Sequence, residues 1–383
     1  MFEYKITHKS QRSDARVGVL NLPHGKIRTP VFMPVGTVAA VKTMMPEELI
    51  EVGSEIILTN TYHLYLRPGD KLIYKMGGLN DYMKWNRPIL TDSGGYQVFS
   101  LGEGIRNFSK SGLKKAKITN DGVRFYSHLD GAQHFMTPEK SIQIQKNLKP
   151  DLIMAFDDCP SENSSKRQIS QAVKRTIAWY LRCEKEHNKT KGGELVPICQ
   201  GGKYKDLREK SCRFINKTNA PVLAIGGVSV GESKEDIYDI ASHCCDLLDK
   251  SRPRYLMGVG YPEDNTEVIS RGVDMFDCVL PTRLARHGTV WVKSAHKNAK
   301  KIKGVKYCYE QIDLMQSRFI ADSSTLDLNC RCKLCQNKYS KSYLRHLLKE
   351  REPLGIHLLT VHNLTFVFDL IADIKKSIKD NFF

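Results

Sequence analysis

The stretch Pro-Ile-Leu-Thr-Asp-Ser-Gly-Gly-Tyr at residues 88–96 decides the fold. A short apolar run ends at a carboxylate, and paired glycines follow. The plan recurs along the chain. EIILT occupies residues 55–59, and DLIMAF at 151–156 precedes Asp157-Asp158-Cys159. LVPIC at 195–199 precedes Gln200-Gly201-Gly202, and PVLAI at 221–225 precedes Gly226-Gly227. RYLM at 254–257 precedes Gly258-Val259-Gly260, and MFDCVL at 275–280 carries Asp277 and leads to Pro281-Thr282-Arg283. Runs that are continuously apolar, rather than alternating, fit strands buried on both faces. Segments of helical character, such as 165–187 and 203–217, lie between them. Strand and helix repeated this often imply a parallel sheet with helices outside. Seven or eight such units favour an α/β fold of the (β/α)8 TIM-barrel type. A doubly wound open sheet is the competitor, but it would more often carry a G-x-G-x-x-G turn after its first strand, and none is evident.

Two regions break the pattern. Residues 117–135, KITNDGVRFYSHLDGAQHF, hold Asp121-Gly122 and Asp130-Gly131 among short alternating runs. Asp-Gly is a favoured two-residue hairpin turn, so an antiparallel hairpin insertion on the barrel is expected. After about residue 289 the alternation stops, and a Lys-rich connector leads to a cysteine cluster and C-terminal helices. The expected division is a barrel over residues 1–290 and a second module over 291–383 packed on it.

The chain has 383 residues with 59 Lys and Arg against 42 Asp and Glu, a formal charge of +17. Such an excess attracts polyanions at long range. The charge is not confined to one tail: Lys-rich stretches occur at 110–117, 293–306 and 338–351, and the last two flank the cysteine cluster. No run of 18 apolar residues appears, and residues 1–10 lack an apolar signal core, so a cytoplasmic protein is expected. Eleven cysteines in that setting are not a disulfide framework. Most, such as Cys212 and Cys244, have no recognisable partner and read as small buried apolar residues or inert thiols.

In a barrel the strand ends gather on one face, where active sites sit. One Asp after a strand is commonly a helix cap, and one Gly a tight turn. Carboxylates or amides at four strand ends are a different matter. Asp157 can accept from N–H donors, and Gln200 can donate and accept. Gly226-Gly227 lets a flat ligand approach the main chain. Tyr96 and Met257 offer stacking surfaces. Together these suit a planar heterocycle with hydrogen-bonding edges, a nucleobase. Asp92 and Asp277 remain for acid, base or nucleophile chemistry.

Cys330-Arg-Cys332-Lys-Leu-Cys335 has the form C-x-C-x-x-C, three thiolates that suit a tetrahedral Zn2+ needing one more ligand. His357 and His362 are the near candidates, and His362 lies in a predicted helix able to fold back over the cluster. Full Cys3His coordination leaves no open position, so such a metal is structural.

These motifs resemble those of the tRNA-guanine transglycosylases. TDSGGYQ at 91–97, FDDC at 156–159, QGG at 200–202, GGVSVGE at 226–232, RYLMGVG at 254–260, FDCVLPTR at 276–283, the CxCxxC cluster and VHNL at 361–364 occur in family order. The match runs from about Arg16 to the C-terminus. The resemblance implies a (β/α)8 barrel with a zinc-binding subdomain, commonly a homodimer, that exchanges guanine at the wobble position of GU(N)-anticodon tRNAs for a 7-deazaguanine base. In bacteria that base is preQ1, on the way to queuosine. Residue by residue, it implies Asp277 as nucleophile and Asp92 as proton acceptor. Asp92, Ser93, Gly94, Gly95, Tyr96, Asp157, Gln200, Gly227 and Met257 fall at base-binding positions. Gly258, Val259, Gly260, Tyr261, Pro262, Glu263 and Asp264 fall in one RNA-contacting stretch, and Thr282, Arg283, Leu284, Ala285 and Arg286 in another. Cys330, Cys332, Cys335 and His362 match the ligands of one structural Zn2+.

Departures exist. Val228 and Ser229 stand where bacterial members have Leu-Ala. Eukaryotic members, which take the bulkier queuine, have Ser at the second position but Gly where this chain has Val230. Val230 should crowd a cyclopentenediol, which favours preQ1 over queuine. The connector 293–327 is longer than usual. A non-catalytic zinc-containing tRNA-binding subunit would not need both Asp92 and Asp277. An archaeal relative acting at another tRNA position would carry further C-terminal RNA-binding domains. A barrel glycoside hydrolase would explain paired carboxylates, but neither the basic surface nor the base-like pocket.

Overall fold

The computed structural model describes residues 2–98, 116–228 and 231–383. Its centre is a parallel sheet that closes on itself. The strands are Val31–Gly36, Ile57–Thr59, Ile89–Thr91, Leu152–Met154, Glu194–Val196, Ile198–Cys199, Leu223–Ile225, Arg254–Leu256 and Met275–Cys278. The fifth and sixth of these are one stave interrupted at Pro197, which has no N–H for the ladder. Val196 pairs with Met154 on one side and Ile198 with Ala224 on the other, so eight staves form a (β/α)8 barrel. The carbonyl of Pro197 still accepts from the Ala224 N–H at 3.1 Å, which keeps the ring continuous.

The apolar runs fill the barrel as their composition dictates. Leu58, Leu90, Leu152, Met154, Ile198, Ala224 and Met275 pack in its interior. An antiparallel sheet of Glu3–Lys9, Arg16–Leu22 and Gly25–Thr29, unforeseen in the sequence, plugs the end where the strands begin. Its Leu20 and Ile27 join the interior core, and its buried Arg16 grips Asp274 with Nε–Oδ1 2.8 Å and Nη2–Oδ2 2.6 Å. The polar strand ends gather at the opposite, C-terminal end.

The insertion is a three-stranded antiparallel sheet, Lys117–Ile118, Val123–Tyr126 and Gln133–Met136. The Asp-Gly pairs lie in its loops, but the loops are longer than two-residue turns. Ile118 pairs with Val123 and Tyr126 with Gln133, because Thr119 and Ser127 take up hydrogen bonds within the loops.

The connector after the barrel is itself a sheet. Thr289–Ser294 pairs along its length with Cys308–Asp313, and Lys300–Lys301 adds a third strand. The helix Pro353–Lys379 crosses back over the barrel and packs on the helix Leu280–Arg286. It is long and apolar enough to cross a membrane, yet 72% of its apolar window is buried inside the fold, so it serves as a core helix.

Candidate active site and metal centre

Asp92 sits one residue past the third stave, at the start of the helix Thr61–Leu66. Its Oδ1 accepts the Thr61 N–H at 2.7 Å and the Gly94 N–H at 3.1 Å, and its Oδ2 accepts from the Asn60 amide. The Thr61 N–H is one of the donors a helix start leaves unpaired, and a carboxylate there is favoured by the helix dipole. Asn60 also caps that helix, accepting the His63 N–H at 3.0 Å. Gly94 permits the turn: its φ is +78°, and an added Cβ would lie 3.3 Å from the Tyr62 nitrogen. Burial outweighs the donors, and the nearby Asp277 and Asp157 add repulsion. The Asp92 carboxyl is pushed up to about 7.

Asp277, near the end of the last stave, faces the same space. The buried Tyr255 hydroxyl donates to its Oδ1 at 2.6 Å, and the Gly258 N–H does so at 3.2 Å. Both bonds favour the ionised form, but burial dominates and raises its pKa. Asp92 and Asp277 both keep part of their surface open, whereas Asp157 and Gln200 are buried.

A hydrogen-bonding wall stands beside them. The Gln200 amide donates to Asp157 Oδ2 at 2.7 Å, and the Ser93 hydroxyl reaches Asp157 Oδ1 at 3.3 Å. Burial pushes Asp157 up to about 6. Gly95 lies against Asp157, where a Cβ would sit 3.1 Å from its carbonyl oxygen. Gly226 and Gly227 press on the Gln200 amide, and the Met257 sulfur lies 3.4 Å from a Cβ built at Gly226. Gly227 has φ +62°, which favours glycine. Tyr96 is exposed.

Behind this wall lies a residue that sequence reading missed. The buried Arg208 donates to the carbonyls of Cys199, Gly202, Gly226 and Gly227 at 2.7–2.9 Å, joining the ends of the fifth and sixth staves. Asn60 and Tyr255 were missed too. Asn60 follows the apolar run 55–59, so the strand-end rule could have found it. Tyr255 lies inside a strand and reads as core.

The two expected RNA stretches lie beyond the ends of the seventh and eighth staves. Within them Gly258 and Arg283 are exposed, and Tyr261, Glu263, Leu284 and Arg286 are half-buried. Val259, Gly260, Pro262, Asp264, Thr282 and Ala285 are buried and shape the rim from beneath. Glu263 is tied to Lys234 at 2.8 Å, to Lys300 at 3.1 Å and to the Tyr309 hydroxyl. Burial opposes its charge, but these partners prevail and hold it down at about 2. Through them the long connector is fastened to the rim. Val228 is buried. Ser229, Val230 and most of the first Lys-rich stretch lie outside the described residues.

Cys330, Cys332, Cys335 and His362 come together, with ligand atoms all within 4.8 Å of one another. His362 Nδ1 lies 3.6 Å from Cys332 Sγ and 3.4 Å from Cys335 Sγ, while its Nε2 faces the Trp291 carbonyl at 2.7 Å. That carbonyl fixes the proton on Nε2 and leaves Nδ1 free for a metal. His357 points elsewhere, to the Thr43 carbonyl and Glu48. The group can hold a metal ion, and its chemistry fits zinc.

The family model described as queuine tRNA-ribosyltransferase matches residues 11–383. The chain belongs to that family. Proteins named queuine tRNA-ribosyltransferase resemble it over nearly their whole length. The one from Fusobacterium nucleatum is 47% identical, covering 99% of this chain and 95% of that protein. The one from Caldanaerobacter subterraneus is 48% identical, covering 99% and 94%, and one from Staphylococcus aureus is 44% identical, covering 99% and 93%. As a member of the queuine tRNA-ribosyltransferase family, the chain is an enzyme, a tRNA-guanine transglycosylase.

Proposed function

We propose that the enzyme exchanges guanine at wobble position 34 of GU(N)-anticodon tRNAs for preQ1, by double displacement through a covalent enzyme–RNA intermediate. The observation that carries this reading is the meeting of two half-open carboxylates, Asp92 and Asp277, beside a base-sized wall of Asp157, Gln200 and Gly227. Asp277, aimed by Tyr255 and Gly258, attacks C1′ of the ribose. The C1′–N9 bond breaks, the Asp92 carboxyl gives its proton to N9 of the departing guanine, and an ester joins Asp277 to the RNA. Asp92 takes the N9 proton of the incoming base, which attacks the same carbon and frees Asp277. Two inversions retain configuration, as in retaining glycosidases. One glycosidic bond replaces another, so no nucleotide cofactor is needed. The target base lies in an anticodon loop, where unstacking is inexpensive. Arg283 and Arg286 contact phosphates or neighbouring bases.

The metal is a structural Zn2+ held by Cys330, Cys332, Cys335 and His362, and it takes no part in the exchange. The barrel of residues 1–290 carries the chemistry, and residues 291–383 form the zinc module. The enzyme works in the cytoplasm as a homodimer. The choice of preQ1 is supported by the charge beside the wall. The lining of a cavity of about 190 Å3 includes Gln200, Gly227, Lys203, Glu162, Glu232 and Asp236, three carboxylates against one ammonium, an acidic balance for a cationic aminomethyl arm. The decisive experiment incubates protein with tRNA bearing U33-G34 and runs denaturing electrophoresis. Wild type yields an adduct and Asp277→Ala none; an adduct surviving that change removes Asp277 as nucleophile. Labelled guanine must exchange into the same tRNA, and preQ1 must outcompete queuine.

A further inference from the structure

Cys199, Cys212 and Cys244 are far apart in sequence and show no shared motif. The fold gathers them. Cys199 ends the fifth stave, Cys212 lies on the helix Lys205–Ile215, and Cys244 on the helix Lys234–Leu247. All three are at most 1% exposed. Their sulfurs lie within 4.8 Å of one another, and Cys199 and Cys212 are 3.4 Å apart. Three thiolates around one ion, with metal–sulfur bonds of about 2.3 Å, stand about 3.8–4.0 Å apart. The spacing already present brackets that geometry.

A buried cysteine alone is commonly an inert apolar residue. What sets this cluster apart is Arg208. Its guanidinium is 1% exposed, and its hydrogen bonds go to four neutral carbonyls. Among the described residues no carboxylate forms an ion pair with it. A buried charge facing only neutral groups is costly. Its Nη1 lies 4.0 Å from Cys199 Sγ, so sulfur anions are the charge at hand. Loss of three thiol protons to solvent and capture of a divalent ion leaves a net charge of −1. Arg208 supplies the +1 that neutralises it.

We propose that Cys199, Cys212 and Cys244 form a second metal site, a trithiolate that takes a thiophilic divalent cation and is distinct from the Cys3His group. Soft thiolate ligands select thiophilic ions. The ion staples the fifth stave to two outer helices. Because Cys199 precedes Gln200 and Arg208 holds the Gly226 and Gly227 carbonyls, occupancy also stiffens the base-binding wall from behind.

The test produces the full chain in medium containing Cd2+, so that the ion is present during folding, and measures cadmium per chain by native mass spectrometry. Wild type should carry two ions. Cys212→Ala and Cys244→Ala should each carry one, with the thiolate-to-cadmium charge-transfer absorption falling by about half. Cys332→Ala should also carry one, retained at the trithiolate. A wild-type chain carrying a single ion overturns the proposal, and that result does not depend on any variant folding. Two ions persisting in both Cys212→Ala and Cys244→Ala overturn it as well.

Discussion

Tyr255→Phe isolates a single interaction in the proposed chemistry. The Tyr255 ring is buried and its hydroxyl donates to Asp277 Oδ1 at 2.6 Å, so phenylalanine keeps the packing and deletes one bond. A hydrogen bond to a charged group contributes about 1.5–3 kcal/mol. At about 1.36 kcal/mol per tenfold, its loss corresponds to about 10- to 100-fold in the population or reactivity of ionised Asp277. The sign follows from the partner. Tyr255 stabilises the carboxylate, so its loss moves the Asp277 pKa further up from a position burial has already raised. Formation of the covalent adduct, followed in single turnover against pH, should slow by about 10- to 100-fold near neutrality. Its acid limb should shift upward by about one to two pH units. Part of the rate should return at alkaline pH, where Asp277 is ionised in both proteins. An unchanged rate and acid limb would refute the assignment of Tyr255 as the group that holds Asp277 ionised.

Asp92 accepts a proton only when ionised, and its pKa is pushed up to about 7. Incorporation of the incoming base into a preformed adduct should therefore fall as pH drops through about 7, and a flat profile between pH 5 and 8 would exclude it as the acceptor. Arg208→Met removes the hydrogen bonds to the carbonyls of Cys199, Gly202, Gly226 and Gly227. The Cys199 carbonyl keeps the Gly226 N–H at 3.0 Å, but loss of the donor to the other three should cost more than about 3 kcal/mol, seen as a lower thermal midpoint, and should raise the KM for guanine more than it lowers kcat. His362→Ala should lose the Cys3His metal and the order of the module around it. Metal analysis and thermal melting would report this, and a variant that keeps its full metal content would exclude His362 as a ligand.

The barrel was legible because its signals are local. A run such as residues 221–225 reads as a strand buried on both faces without reference to any other run. Its strand-end glycines point to a turn and close approach for similar reasons. The antiparallel insertion was visible in the same way, although its loops proved longer than the Asp-Gly pairs alone suggest. The N-terminal sheet was missed because an edge sheet plugging a barrel has no regular partner in the pattern. The connector after residue 289 was opaque too. Its strands are fixed by pairing Thr289–Ser294 with Cys308–Asp313, across a stretch without helical or alternating period.

What the sequence by itself determined is which chemistry is on offer: carboxylates and an amide at strand ends, paired glycines, and a cysteine triplet. Each is written within a few consecutive residues, at the scale where backbone period and turn preference act. What only the tertiary structure decided is which groups act on one another. Tyr255 aims Asp277 across neighbouring staves, Arg208 ties two strand ends together, and His362 rather than His357 reaches the cysteines. Cys199, Cys212 and Cys244 meet from one strand and two helices. Burial, which sets the protonation of Asp92 and Asp157, depends on everything packed around them. Contacts between residues distant in the chain leave no local trace, so these roles emerge only once the barrel closes.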